Sequence, residues 1–179
     1  MASLVNKLDA RLLWGVRHLA YKVLAGQLEG AGYLGAPSFV KGFRKFHSKS
    51  GLGIFPGWRI EILDGKVQVG ANVRIGNNFF LNCGSLVSIG DNVTLSSNVF
   101  IGTSDVVIDK NIELSFKDWP QREQPIDIKS GCFIGYGAVI LPGTKLGVGC
   151  VVGANSVVRG EFAPGSVIVG SPARVIRVR

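Results

Sequence analysis

Residues 128–158 read IKSGCFIGYGAVILPGTKLGVGCVVGANSVV, with an aliphatic residue at every sixth position: Ile128, Ile134, Ile140, Leu146, Val152 and Val158. The same spacing occurs upstream in Val69, Ile75 and Leu81, and again in Ile89, Leu95 and Ile101. Most of these residues are followed by a small one, as at Gly70, Gly76, Gly90, Ser96, Gly102, Gly135, Gly147 and Gly153. Many have a β-branched or aromatic residue four places on, such as Val73, Phe79, Val93 and Val99. A period of six matches neither the 3.6 of an amphipathic helix nor the two of an alternating strand. It fits a three-walled prism in which each hexad supplies one short strand and one corner, and three hexads close one coil. The aliphatic residue then points inward and stacks on its equivalent in the next coil. The small residue sits where a larger side chain would crowd the turn. Asn and Gly tolerate positive φ, which suits Gly76-Asn77-Asn78 and Gly90-Asp91-Asn92 to the corners. One coil cannot bury its own core, so stability must come from stacking. The expected fold is an all-β solenoid.

The repeat breaks twice. The gap from Leu81 to Ile89 is eight residues, which predicts a two-residue bulge near Asn82 to Ser88. The gap from Ile101 to Ile128 is 27 residues, and the segment of about 103–125, with Asp118, Trp119, Pro120, Gln121, Arg122 and Glu123, does not follow the repeat. It is expected to leave the prism as a protruding loop, and long insertions in compact scaffolds are usually functional.

Residues 3–25 read as an amphipathic helix. Leu4, Val5, Leu8, Leu12, Val16, Leu19 and Val23 share one arc, and Lys7, Arg11, His18 and Lys22 cluster opposite, with Asp9 out of place. Gly26, Gly30, Gly32, Gly35 and Pro37 then end it, and a basic stretch from Lys41 to Lys49 follows. Two domains are expected: helix and basic linker over 1–50, and the β-helix over 51–179. The net charge is +8; residues 1–50 hold eight Lys/Arg against Asp9 and Glu29, or +6, leaving +2 for the rest. Two readings of the helix stand: a cap on the open end of the prism or a neighbouring subunit, and a peripheral membrane contact through residues 3–25 that meets anionic lipid. His18 is expected on a solvated face. No nucleic-acid recognition motif is present.

Cys83, Cys132 and Cys150 are odd in number, have no CxxC spacing and have no neighbouring His, so neither a zinc site nor a disulfide framework is expected. They read as small buried residues of a reduced, cytoplasmic protein. No leader pattern and no run of about 18 apolar residues is found, so no spanning segment is expected.

The closing stretch is the most specific. Phe133 to Gly143 reads FIGYGAVILPG, Val152 to Gly160 reads VGANSVVRG, and Gly170 to Arg177 reads GSPARVIR. Together these resemble the C-terminal block of the hexapeptide-repeat, left-handed parallel β-helix acyltransferases, notably the sugar and lipopolysaccharide O-acetyltransferases. The resemblance covers about residues 58–179. It implies a homotrimer with active sites between prisms, and acetyl-CoA as co-substrate lying along the C-terminal coils. It further implies that Tyr136, Ala154, Arg159, Pro172, Arg174 and Arg177 line the CoA site. Small residues there let the pantetheine arm approach the backbone, and arginines meet phosphates. Asn82, in the stretch from Asn78, matches a substrate-site asparagine of the family.

The family's general-base histidine falls on Ser104 or Val106, in Val99-Phe-Ile-Gly-Thr-Ser-Asp-Val-Val107, and no histidine stands there. His18 and His47 both precede the repeats, and His47 could reach a cleft only by folding back or across a trimer interface. Three explanations remain open. The acceptor is an amine and needs only a weak base such as Asp105; or Asp105, beside Ser104 and Asn82, serves a hydroxyl acceptor; or catalysis is lost and the chain is a trimeric scaffold for an active paralogue. The expected role is acetyl transfer to a sugar or sugar nucleotide in cell-surface polysaccharide biosynthesis, in the cytoplasm and at the inner face of the membrane if the helix binds lipid.

Overall fold

The computed structural model describes residues 2–25, 27–107 and 118–179, with helix side chains from residue 12 to residue 24. The chain forms the expected left-handed parallel β-helix, six coils long, with one N-terminal helix, α1 (Ala2–Ala25).

Each coil contributes one strand to each of three walls. Coil 1 is β1 (Tyr33–Leu34), β2 (Pro37–Lys41) and β3 (Phe46–Ser48); coil 2 is β4 (Gly53–Ile54), β5 (Trp58–Ile62) and β6 (Lys66–Val69). Coil 3 is β7 (Arg74–Ile75), β8 (Phe80–Cys83) and β9 (Leu86–Ile89). Coil 4 begins with β10 (Thr94–Leu95) and β11 (Phe100–Gly102), leaves the prism as an antiparallel arm of β12 (Ser104–Val106) and β13 (Gln121–Glu123), and closes with β14 (Ile126–Ile128). Coil 5 is β15 (Phe133–Ile134), β16 (Val139–Ile140) and β17 (Lys145–Leu146); coil 6 is β18 (Val151–Val152), β19 (Val157–Val158) and β20 (Glu161–Phe162). β21 (Ser166–Gly170) extends the first wall, and β22 (Ala173–Val178) turns back antiparallel on it.

The register stacks the sixth-position residues as the sequence predicts. Ile75, Leu95, Ile134 and Val152 pair in succession on the first wall, and Leu81, Ile101, Ile140 and Val158 on the second. Nearly all of these side chains are fully buried. Backbone bonds run from coil to coil, as from the Gly76 amide to the Leu95 carbonyl at 2.9 Å. Asn72, Asn78, Asn92, Asn98 and Asn155 hold positive φ at corners, where an amide side chain makes the left-handed conformation tolerable. A Cβ on Gly76 would lie 2.6 Å from backbone atoms of Ser96 and Ser97, which accounts for the small residue beside the turn.

Three expectations need correction. The prism starts earlier than residue 51: β1 to β3, inside the segment read as linker, pair in parallel with β4 to β6. The extra residues between Leu81 and Ile89 do not bulge. They lengthen β8 and β9, bring Cys83 and Val87 into the core, and leave Gly84-Ser85 as the turn. His18 is not solvated but only 4% exposed. The face of α1 that docks carries Trp14, Arg17, His18 and Tyr21. Trp14 lies against Tyr33 and Phe55, Tyr21 packs on Phe43 and Trp58 across the open end of the prism, and Arg17 Nη1 donates to the Leu34 carbonyl at 2.9 Å. The helix is therefore a cap. The calls on the Leu4, Val5, Lys7, Leu8, Asp9 and Arg11 side chains, and on residues 108–117 of the loop, lie outside the described residues.

Candidate functional site

The corner between the second and third walls, at coils 3 and 4, gathers polar groups that are distant in sequence. Asn82 stands on β8 directly beside Gly102 of β11, so its side chain faces outward where the arm leaves. Thr103, fully buried, anchors the base of the arm. Its Oγ1 accepts hydrogen bonds from the Gly84 and Ser85 amides at 2.8 and 3.1 Å and donates to Glu123 Oε2 at 2.7 Å. That chain of bonds fixes the Glu123 carboxylate over Gly84, where a Cβ would collide with it. Ser104 Oγ donates to Gln121 Oε1 at 3.1 Å within the arm. Asp105 pairs with Arg159 of coil 6 at 2.7 Å, which ties the arm down across two coils.

The structure thus brings Asn82, Ser104, Asp105 and Arg159 to one corner. Arg159, expected at the CoA site, has its guanidinium committed to Asp105. Glu123 and Thr103 were not singled out from sequence. Their signal was a Thr at the start of the insertion and a Glu near its end, and only the pairing of Ser104 with Glu123 joins them.

The remaining expected cofactor residues lie elsewhere. Tyr136 and Ala154 are exposed on adjacent coils at the corner between the first and second walls, with the Asn155 amide donating to the Tyr136 carbonyl at 2.8 Å. Arg174 and Arg177 lie on β22 and Pro172 in the turn before it. Three residues apart, the two arginines would ordinarily point to opposite faces of a strand. A register shift at Ile176 pairs Arg177 with Val167 and Arg174 with Val169, so both share the outer face of the first wall.

His47 lies on the outer face of β3, two coils below Asn82, lining a shallow trough of about 550 Å³ that runs past Gln68, Ser88 and Asp127. Neither histidine reaches the arm. The thiols are buried and free. Burial pushes Cys132 up to about 11, and burial with the nearby Glu123 carboxylate pushes Cys83 up to about 11, so neither is a ready nucleophile. Among the described residues no group of three or more His, Cys, Asp or Glu could hold a metal ion.

Comparison with known proteins agrees with the repeat and the fold. The hexapeptide repeat of succinyl-transferase matches residues 66–103 and 125–159, the two blocks on either side of the arm. A putative acetyltransferase of Schizosaccharomyces pombe is 36% identical over 111 residues, covering 60% of this chain and 54% of its own. The galactoside O-acetyltransferase of Escherichia coli is 34% identical over 118 residues, covering 60% of this chain and 55% of its own. The chain spans about half the length of these relatives. Among solved structures, AntD, an N-acyltransferase from Bacillus cereus in complex with dTDP and 3-hydroxybutyryl-CoA, superimposes with a TM-score of 0.72 at 20% identity, covering 91% of this chain and 88% of AntD. A hexapeptide-repeat acetyltransferase from Vibrio cholerae superimposes at 0.62 with 22% identity, over 96% and 85% of the two chains. At such identities the likeness is one of fold.

Proposed function

From the premise that this chain is a hexapeptide-repeat, left-handed β-helix protein, we propose that it is an acetyl-CoA-dependent transferase that acylates an amino group on a sugar or sugar nucleotide. The observation that carries the reading is the pair of carboxylates, Asp105 and Glu123, at the corner of Asn82, with no imidazole there among the described residues. Carboxylates suit an amine acceptor. They attract its ammonium form and hold it at the wall, where it gives up one proton to solvent water. The free amine then adds to the thioester carbonyl, its surplus proton passes to Glu123, the C–S bond breaks, and the departing thiolate takes that proton to leave as the free thiol. Asp105, already held by Arg159, positions the arm and the acceptor. AntD, which shares the fold, is an N-acyltransferase crystallised with a nucleotide and an acyl-CoA, which supports the same pairing of substrates here.

The small residues Gly153 and Ala154 beside exposed Tyr136 suit a pantetheine arm running along coils 5 and 6, and the outward pair Arg174 and Arg177 suits its phosphates. The outer face of the second wall carries Phe39, Phe80, Phe100, Val139 and Val157 in one apolar ladder, with Arg59 stacked between Phe39 and Phe80. Such a face supports a homotrimer in which neighbouring prisms complete each site. A role in assembling cell-surface polysaccharide follows from the same acceptor class.

Release of free CoA from acetyl-CoA, measured against an amino-sugar nucleotide and its hydroxyl counterpart, tests the reading. Turnover is expected with the amine, and Glu123→Gln should lower kcat by about 10²–10⁴. Asp105→Asn should raise KM more than it lowers kcat. No CoA release with any acceptor would make the chain a non-catalytic scaffold, and turnover only with the hydroxyl sugar would overturn the choice of amine.

A further inference from the structure

The cap helix is docked by the face that a helical wheel marks as polar, and its aliphatic face points away from the protein. Leu12 is 69% exposed, Leu19 60% and Val23 76%, and Val16, Leu13 and Leu24 are as open. With 3.6 residues per turn, these six side chains span an arc of about 140°. No described residue covers them, although exposing contiguous large aliphatics to water is costly.

The surroundings indicate what does. Phe43, on which Tyr21 rests, belongs to a 3-10 turn (Phe43–Lys45) whose other two residues are exposed Arg44 and Lys45. Exposed Lys41 and Lys49 flank the turn, Lys49 within 3.8 Å of Asp91, and the segment from Glu29 to Lys49 carries these four cations and the one acid Glu29. The described helix side chains add Arg17 and Lys22 and no acid. An aliphatic stripe at one pole of the molecule, rimmed by cations, matches a bilayer interface with anionic headgroups. The arc is wider than the narrow seam of a helix pair, and the rim of like charge would repel a second copy of itself. Among the described residues no helix is long and apolar enough to cross a membrane, so the contact is one of lying on the surface.

We propose that the prism stands on an anionic membrane surface through the outward face of α1 and the cations of the first coil. The helix does not need to reorient to bind, because the docked aromatics already present the stripe. This inference is independent of the catalytic reading, since it concerns the pole opposite the C-terminal coils and is measured without substrates.

The test is co-sedimentation of the full-length protein with vesicles of equal parts phosphatidylglycerol and phosphatidylcholine, beside vesicles of phosphatidylcholine alone. The protein should pellet with the anionic vesicles and much less with the neutral ones. Leu12→Gln with Val16→Gln and Leu19→Gln, all at exposed positions that should leave the cap in place, should weaken partitioning about tenfold or more. Lys41→Gln with Arg44→Gln should weaken it about fivefold per charge and make binding less sensitive to added salt. A wild-type protein that stays in the supernatant overturns the proposal, as does a triple variant that pellets like wild type. If the triple variant instead falls to a lower oligomeric state in lipid-free light scattering while wild type ignores vesicles, the stripe is a contact between copies and the proposal fails.

Discussion

Thr103 shows how a single side chain can set a site. Its hydroxyl satisfies two backbone amides of the Gly84-Ser85 turn and then orients Glu123. Thr103→Val keeps the shape and removes those bonds, leaving half-buried donors without that partner. It should cost about 1–3 kcal/mol in urea unfolding and, by releasing Glu123, lower turnover with KM little changed. Gly76→Ala is the matching test of the corner rule. Its new Cβ must push Ser96 and Ser97 aside, for about 1–3 kcal/mol. The two differ in legibility. Gly76 announces itself because its environment repeats every six residues, so one corner explains all. Thr103 and Glu123 meet only because β12 and β13 pair, and no periodic signal crosses an insertion. Arg159 is a case of the same kind: its place on coil 6 was readable, its partner Asp105 on the arm was not.

At the scale of elements, α1 shows where pattern and docking part company. The wheel placed Leu12, Val16, Leu19 and Val23 on one face, as the structure has them, and α1 caps the prism. The wheel did not show which face docks, because Trp14 and Tyr21 lie on the side with the basic residues and bring His18 inward with them. Burial, aided by the neighbouring Lys22, holds the His18 imidazole below its ordinary value near 6.5. The unfolded or undocked helix therefore binds the proton more readily than the docked one. Docking is at full strength above about pH 6.5 and weakens as pH falls from there toward the lowered value, then levels off. Fluorescence of Trp14, which leaves Tyr33 and Phe55 when the helix lifts, should report this loosening between neutral and mildly acid pH. His18→Gln should abolish the pH response, and a response that persists would place the titrating group elsewhere.

Over the whole molecule, stability is the sum of coil-on-coil contacts, so the arm is carried at little cost to the ladder: Leu95 still pairs with Ile134, and Ile89 with Ile128. The two open ends are handled differently. At the N-terminal end the helix plugs the core. At the C-terminal end β19 and β20 are edge strands of two residues each, whereas β21 is five residues long and is covered by β22. Deleting residues 171–179 should leave the six coils folded by circular dichroism yet produce growing particles by light scattering; a truncated protein of unchanged size would argue against this role for β22.

A stack of identical rungs has no internal reason to end, so its length must be imposed from outside. Here the terminator strand also carries Arg174 and Arg177, the cations suited to the acyl donor. On the proposed reading, loss of the chain beyond residue 170 would remove those two cations and uncover the edge of β21 in one event.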